Sequence, residues 1–140
     1  MSTTELTEQN FESHIEKQGI VFVDFWASWC GPCRSFAPVY EKTATKHNDI
    51  VFGKVDTEAQ PGLAAAFGVH AIPTLMIFRD GLPLFSQAGA LPGSALEELV
   101  RQVRGLDMNE VRRKYDQAIK EQERERGPAP QEKAGDQETP

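Results

Sequence analysis

Two cysteines, Cys30 and Cys33, are the only thiols in the 140-residue chain, and two residues separate them. A structural disulfide stabilises a protein most when it closes a long loop, so a bond between residues this close contributes little to folding. Cys-x-x-Cys spacing is typical instead of redox-active dithiols and of metal sites. The pair therefore predicts either thiol–disulfide chemistry or a metal centre.

A metal centre is the weaker of these two interpretations. A structural zinc site takes four ligands, and the chain has no third cysteine. Its three histidines, His14, His47 and His70, show no spacing typical of a ligand pair. We therefore expect no metal site.

The cysteines stand where a loop is predicted to open a helix, and this position favours thiolate chemistry. The thiolate is the nucleophile of disulfide exchange, and the free amides and dipole of a helix N-terminus stabilise negative charge. Cys30 should lie outside the first turn, exposed to a substrate, while Cys33 should be more shielded. Pro32 suits the first turn, where a proline costs no hydrogen bond. Cys30 would then attack a substrate disulfide, and Cys33 would resolve the mixed disulfide.

Two charged residues inside apolar segments are candidates for the proton transfer that Cys33 requires. Asp24 interrupts the apolar run over residues 20–27. A carboxyl group in apolar surroundings has a raised pKa, which suits a general base near neutral pH. Lys54, in the middle of a second apolar segment, could reach the same interior and modulate Asp24. The alternatives are a structural hydrogen bond for Asp24 and a lysine that extends to water.

The surrounding pattern alternates strands and helices, which predicts an α/β fold with a mixed sheet. Thr7 is the expected N-cap of the first helix, and Asp80-Gly81 predicts a hairpin between the last two strands. Strands are expected over residues 3–6, 20–27, 50–56, 74–78 and 82–86, and helices after Thr7, after Cys33, over residues 62–67 and from Pro92 to Gly105. The phenylalanines predicted to form the core are Phe11, Phe22, Phe52, Phe67 and Phe78.

The composition changes near Leu106 and divides the chain into a domain over residues 1–105 and an extension over residues 106–140. Residues 106–126 are dense in charge and lack helix breakers, so they predict a helix, capped by Asp107 or Asn109. After Gly127 the polar composition predicts disorder. A thin apolar stripe along the predicted helix comprises Met108, Val111, Tyr115 and Ile119.

Charge and hydropathy exclude two classes of partner. The net charge is −6, whereas nucleic-acid binding needs a basic face, so we expect no nucleic-acid partner. No segment approaches the roughly 20 apolar residues that cross a bilayer. The polar N-terminus lacks the pattern of a signal peptide. We therefore expect a cytoplasmic protein without a membrane anchor.

Three segments together resemble the thioredoxin family. Residues 23–27, followed by Trp29-Cys30-Gly31-Pro32-Cys33, are similar to the family's active-site segment. Residues 71–74, Ala-Ile-Pro-Thr, resemble its cis-proline loop, and residues 54–56, Lys-Val-Asp, its lysine-bearing strand. The resemblance covers about residues 3–104 and implies a thioredoxin fold, with a central mixed five-stranded sheet flanked by helices.

The resemblance also implies roles for individual residues. Cys30 would be the attacking thiol, Cys33 the resolving thiol, and Asp24 the buried carboxylate that serves Cys33, with Lys54 nearby. Pro73 would be cis, and cis bonds are essentially confined to proline. The implied substrate-binding residues around the sulfur atoms are Trp29, Gly31, Pro32, Ile72, Pro73, Thr74 and Gly89.

The activity implied by the resemblance is the reduction of protein disulfides by dithiol–disulfide exchange. No cofactor would be bound, because electrons would come from NADPH through a thioredoxin reductase. The expected partners are that reductase and disulfide-containing proteins, and the protein is expected to be a monomer. Two alternatives stay open: a protein disulfide oxidase or isomerase, and a non-catalytic binding module that acts through residues 106–140.

Overall fold

A computed structural model describes residues 2–127, and it divides after Gly105 into two compact units. The first unit contains β1 (Thr3–Glu5), α1 (Phe11–Glu16), β2 (Ile20–Trp26), α2 (Gly31–Lys46), β3 (Val51–Asp56), α3 (Pro61–Ala66), β4 (Thr74–Arg79), β5 (Leu82–Ala88) and α4 (Gly93–Arg104). The second contains α5 (Met108–Arg126). The segment after Gly127, for which the sequence predicts disorder, lies outside the described residues.

The five strands of the first unit form one mixed sheet in the order β1-β3-β2-β4-β5. β2 lies at its centre, pairs parallel with β3 and antiparallel with β4, and places Asp24 opposite Lys54. β4 and β5 form the predicted hairpin, in which Asp80 and Gly81 have φ angles of 53° and 84°. Positive φ at both central residues is typical of the turns that join antiparallel strands. The predicted α/β fold with a mixed five-stranded sheet is confirmed.

One face of the sheet packs against α2 and α4. The apolar cluster on this face contains Ile20 and Phe22 of β2 together with Phe36 and Tyr40 of α2. Successive side chains of a strand point to opposite faces. Asp24 continues the two-residue spacing of Ile20 and Phe22, so it lies on the face that α2 covers. This placement puts the buried carboxylate on the side of the sheet that carries the cysteine helix.

The opposite face packs against α1 and α3, and there one core prediction is wrong. Phe67 was expected to be buried, but it is 36% exposed. One side of its ring packs against Phe11, Phe25 and Phe78. Phe67 directly follows α3, a six-residue helix with no buried residue, so this edge of the layer stays accessible to water.

The start of α1 is a second correction. Thr7 was the predicted N-cap, but Asn10 occupies that position and the helix begins at Phe11. The Asn10 side chain accepts a hydrogen bond from the Thr7 amide at 2.8 Å, and the Thr7 hydroxyl accepts one from the Asn10 amide at 3.3 Å. These reciprocal bonds close residues 7–10 into a turn, which delays the helix by three residues.

The second unit, as far as it is described, is the single helix α5. Asp107 caps it, because its carboxylate accepts hydrogen bonds from the amides of Asn109 and Glu110 at 3.1 and 3.3 Å. The predicted helix is therefore confirmed, and of the two predicted caps, Asp107 and Asn109, it is Asp107 that caps it. No residue of α5 is buried, so its formation depends on local interactions rather than on a core of its own.

Candidate active site

The two cysteines lie at the junction of the central strand and the helix that covers it. β2 ends at Trp26 and α2 begins at Gly31, with Cys30 as its N-cap. The Sγ atom of Cys30 accepts a hydrogen bond from the Cys33 amide at 3.2 Å. The cysteines are joined by a disulfide, with their Cα atoms 5.2 Å apart. The structure therefore shows the oxidised form, with the Cys30 sulfur at a helix N-terminus.

The loop before β4 closes over the disulfide. The Ile72–Pro73 bond is cis, as the resemblance implied. The carbonyl oxygen of Ile72 lies 3.8 Å from the Sγ of Cys30, while the Pro73 carbonyl accepts a hydrogen bond from the Gly89 amide at 2.8 Å. Pro73 and Gly89 thus lie at the same end of the sheet as Cys30.

This covering loop explains a difference from the sequence expectation. Cys30 was expected to be exposed and Cys33 shielded, but in the oxidised form they are 4% and 3% exposed. Both pack in one cluster with Ala27, and the side chains of Trp26 and Ile72 lie against it. The difference between the two sulfurs is therefore one of position along the helix start, not of exposure.

Trp29 is the most exposed large apolar residue beside the cysteines, at 64%. Its indole N–H donates a hydrogen bond of 2.5 Å to the Glu58 carboxylate. The backbone amide of Glu58 in turn donates to the Asp56 carboxylate at 2.9 Å. Sequence reasoning missed Glu58, because a glutamate in a polar loop has no signal that links it to a tryptophan 29 residues earlier in the chain.

Asp24 is 1% exposed, and no described residue donates a hydrogen bond to either of its carboxylate oxygens. Burial raises the pKa of this carboxyl group from 3.8 to about 7, and the nearby Lys54 charge partly opposes that rise. The structural hydrogen bond considered as an alternative is absent within residues 2–127. Asp24 is therefore a buried acid whose proton is exchangeable near neutral pH.

Lys54 and Tyr40 both interact electrostatically with Asp24. The Lys54 ammonium group lies 4.9 Å from the centre of the Trp26 ring, on a half-buried side chain. The Tyr40 hydroxyl donates a hydrogen bond to the Gly53 carbonyl at 2.8 Å. Burial raises the pKa of Tyr40 well above its ordinary value, and the Asp24 charge adds to the rise. Asp24 is thus close enough to both side chains for its charge to interact with theirs.

The comparisons with known proteins agree with this geometry. The thioredoxin family profile matches residues 2–102. The chain is 54% identical over 126 residues to a protein of Streptomyces coelicolor named putative thioredoxin 2, and the match covers 90% of this chain and 91% of that protein. The chain belongs to the thioredoxin family. As a thioredoxin-family protein with an intact Cys-x-x-Cys pair, it is a thiol–disulfide oxidoreductase that reduces protein disulfides.

Further thioredoxins match a shorter part of the chain. The thioredoxin of Alicyclobacillus acidocaldarius is 41% identical over 97 residues, which is 69% of this chain and 92% of that protein. A solved structure of Plasmodium falciparum thioredoxin has a TM-score of 0.66 at 32% identity, and covers 71% of this chain and 98% of that one. The Streptomyces match is longer than the 105-residue first unit, so it also includes part of the extension.

The predicted site residues lie at two different depths in the protein. Cys30, Cys33, Ile72, Pro73 and Trp29 come together at the sheet edge, whereas Asp24 lies deeper, on the central strand. The remaining predicted residues differ in exposure: Pro32 and Gly89 are exposed, Gly31 and Lys54 half-buried, and Thr74 buried. Within residues 2–127 no group of His, Cys, Asp or Glu side chains could hold a metal ion, and no helix is long and apolar enough to cross a membrane.

Proposed function

We propose that Cys30 is the attacking thiolate of this thioredoxin, Cys33 its resolving thiol, and Asp24 the base that deprotonates Cys33. The observation that carries the proposal is a redox disulfide at the start of α2, on the side of the sheet that also holds an unpartnered buried carboxylate. The three groups therefore share one layer of the fold.

In the first step, the Cys30 thiolate of the reduced enzyme attacks one sulfur of a substrate disulfide. The substrate S–S bond breaks, a mixed disulfide forms, and the departing substrate thiolate takes up a proton. The free amides of the α2 N-terminus stabilise the Cys30 thiolate. The Cys33 amide supports this role, since it donates a hydrogen bond to Cys30 Sγ at 3.2 Å.

In the second step, the Cys33 thiol loses its proton to Asp24 and attacks the Cys30 sulfur of the mixed disulfide. The substrate leaves as its second thiolate, and the enzyme is left with the Cys30–Cys33 disulfide. A carboxyl group with a pKa of about 7 can accept this proton and release it again near neutral pH. Lys54 keeps that pKa from rising further.

The substrate would bind in an extended conformation across the loop that covers the disulfide. The backbone of Ile72 and Thr74 would pair with it, and backbone pairing of this kind recognises an extended segment without requiring a particular side-chain sequence. Trp29, Gly31, Pro32 and Gly89 would form the walls, with the cis Pro73 against the sulfur atoms. The exposed Trp29 ring offers the largest apolar surface for this contact.

Electrons would reach the disulfide from NADPH through a thioredoxin reductase, with no cofactor bound to this chain. Family membership supports this route, because the oxidised pair must be reduced again after each turnover. We place the reaction in the cytoplasm, where glutathione and thioredoxin systems keep thiols reduced. Cell fractionation with detection of the protein tests that location.

The reduction potential of the Cys30–Cys33 pair tests the direction of the reaction. Equilibration in defined thiol–disulfide buffers should give a value near −270 mV, about that of established thioredoxins. A value near −180 mV or higher would match disulfide isomerases and oxidants. That result would support the oxidase or isomerase alternative in place of the reductase.

The decay of a trapped mixed disulfide tests the role of Asp24. The substitution Asp24→Asn should slow the Cys33 step at pH 7 by about 100-fold, the lower range for loss of a general base. The first step, measured as Cys30 alkylation, should change far less. Asp49→Asn, at an exposed carboxylate paired with Arg104, is the matched control. Equal rates for Asp24→Asn and the control would refute the assignment.

A further inference from the structure

A groove of about 420 Å³ lies between α1 and α3, on the face of the sheet away from α2. Its apolar lining comes from Phe11 and Ile15 of α1 and from Leu63 and Phe67 beside them. Phe67 is 36% exposed, and one side of its ring packs against Phe11. No residue that lines this α1–α3 groove belongs to the set proposed around the two sulfur atoms. The groove is therefore a second apolar surface, and such surfaces commonly mark interaction sites.

The α1 wall of this groove is acidic. Glu8, Glu12 and Glu16 recur every four residues, and all three are exposed and line the groove. The Glu8 carboxylate accepts a hydrogen bond from the Gly62 amide at 3.0 Å. Within residues 2–127, the carboxylates of Glu12 and Glu16 have no hydrogen-bond or ion-pair partner, and no basic side chain of those residues lines the groove, since Lys17 lies outside the lining. Three carboxylates therefore border the apolar lining without a counter-charge in it.

The α3 wall, in contrast, carries no charge. Residues 61–69 contain only glycine, proline and apolar side chains, although most of them are exposed. The surface of a soluble domain ordinarily mixes charged side chains of both signs and avoids contiguous apolar patches. The groove is thus acidic on the α1 side and apolar on the α3 side.

We infer that the α1–α3 groove binds a basic amphipathic helix of a partner protein. Apolar side chains of that helix cover Leu63 and Phe67, which removes apolar surface from water. Lysine or arginine residues one helical turn apart pair with Glu12 and Glu16, which themselves stand one turn apart. An acidic segment would be repelled by the wall, and an uncharged one would leave the carboxylates without partners. The charge of the α1 wall therefore selects the partner.

Titration of the oxidised full chain with a synthetic amphipathic helical peptide of leucine and lysine tests this inference. The peptide has no cysteine, so disulfide exchange does not contribute to its binding. Backbone amide chemical shifts should change at residues 8–16 and 61–67, and stay constant at Cys30 and Ile72. The same peptide with glutamate in place of lysine should not bind. Shift changes confined to the surface around the disulfide, or equal binding of the two peptides, would overturn the inference.

Neutral variants distinguish the groove from a general attraction to an acidic protein. Glu12→Gln combined with Glu16→Gln should weaken binding of the leucine–lysine peptide about tenfold, because two charge pairs are lost. Glu121→Gln combined with Glu123→Gln removes the same charge from α5 and should leave the affinity unchanged. Equal affinities of these two double variants would contradict the proposed role of the α1 wall.

Two further measurements test the apolar contact and the identity of the occupant. Phe67→Ala should weaken peptide binding about tenfold, since exposed aromatic rings commonly anchor an interface, and urea unfolding checks that this variant is folded. Sedimentation equilibrium of the chain without peptide should give a mass of 15.6 kDa. A larger mass that returns to this value in the Glu12→Gln and Glu16→Gln double variant would assign the groove to a second copy of the chain and overturn the inference.

Discussion

The two units of this chain differ in how they are stabilised. In the first unit, Phe22 on the central strand is fully buried between α2 and the sheet. In α5, Tyr115 is 38% exposed and no residue is buried. Ion pairs one turn apart, such as Glu110 with Arg113, support α5 locally. Tertiary packing therefore stabilises one unit and local interactions the other.

This difference explains where the chemistry lies. A general base with a pKa near 7 requires a carboxylate removed from water. Within residues 2–127, the packed first unit provides such a site at Asp24. The carboxylates of α5 lack such burial, because no residue of this helix is buried. Glu110, for example, has its pKa lowered by the Arg113 guanidinium that hydrogen-bonds to it.

The largest expected effect is the loss of activity when a cysteine of the first unit is replaced. Cys30→Ser removes the attacking thiolate, so disulfide reduction, measured by turnover of a protein disulfide with a reductase system, should fall below detection. Cys33→Ser should still attack once and accumulate the mixed disulfide. Residual turnover in Cys30→Ser above that of a heat-denatured sample would contradict the assignment and favour the binding-module alternative.

A substitution in the core of the first unit should lower the free energy of unfolding far more than a substitution in α5. Phe22→Ala removes a fully buried ring and should lower the free energy of unfolding by about 3–5 kcal/mol. Tyr115→Ala, at an exposed position of α5, should change it by less than about 0.5 kcal/mol in dilute solution. Urea unfolding followed by tryptophan fluorescence measures both. Similar losses in the two variants would mean that α5 contributes to the stability of the first unit.

The pH dependence of stability should report the buried Asp24. Its pKa is 3.8 in the unfolded chain and about 7 in the folded one, so between these values the folded state holds the proton more tightly. Its contribution to stability therefore falls as the pH rises from about 4 to 7, by up to about 4 kcal/mol. Asp24→Asn should be more stable than the original chain at pH 8 and comparable at pH 4.

Urea titrations at several pH values measure this effect, with Asp49→Asn as the control. Arg104 hydrogen-bonds to Asp49 and lowers its pKa to about 2, so this residue does not titrate between pH 4 and 7. The control variant should keep the decrease in stability with rising pH that Asp24→Asn loses. A slope that survives in Asp24→Asn would assign it to another group.

Removal of the extension should have the smallest effect. A chain that ends at Gly105 keeps the sheet, the disulfide and the covering loop, so we propose that it retains reductase activity and its unfolding midpoint in dilute solution. A truncated chain that fails to fold or to turn over would show that the proposed boundary between domain and extension is wrong.

Local patterns were enough to predict much of the fold. The Asp80-Gly81 turn, the α2 start at the cysteines and the Asp107 cap each depend on neighbours in the sequence, and the structure confirms all three. Thr7 failed for a local reason too, since its hydroxyl bonds to Asn10 in a turn rather than to a helix amide. Propensity alone does not decide between these two uses of a hydroxyl.

Contacts between segments that are distant in the chain could not be predicted from the sequence. Phe67 is as apolar as Phe22, but it lies beside a short helix that leaves one side of its ring uncovered. Glu58 was missed because its partner Trp29 is fixed by the loop that follows β3. The exposure of Phe67 and the bond between Trp29 and Glu58 both depend on which elements end next to each other. The type of a residue carries no information about that arrangement.

The sequence by itself determined the reactive groups and their local setting: two thiols one turn apart at a helix start, a carboxylate within an apolar strand, and a charged helix with a thin stripe. Only the tertiary structure decided what surrounds them. It buried Asp24 without a hydrogen bond from residues 2–127, placed the Ile72 carbonyl against the Cys30 sulfur, and placed Lys54 over Trp26. The physical reason is that the pKa of a carboxyl group and the exposure of a sulfur depend on the groups packed around them, which come from distant parts of the chain.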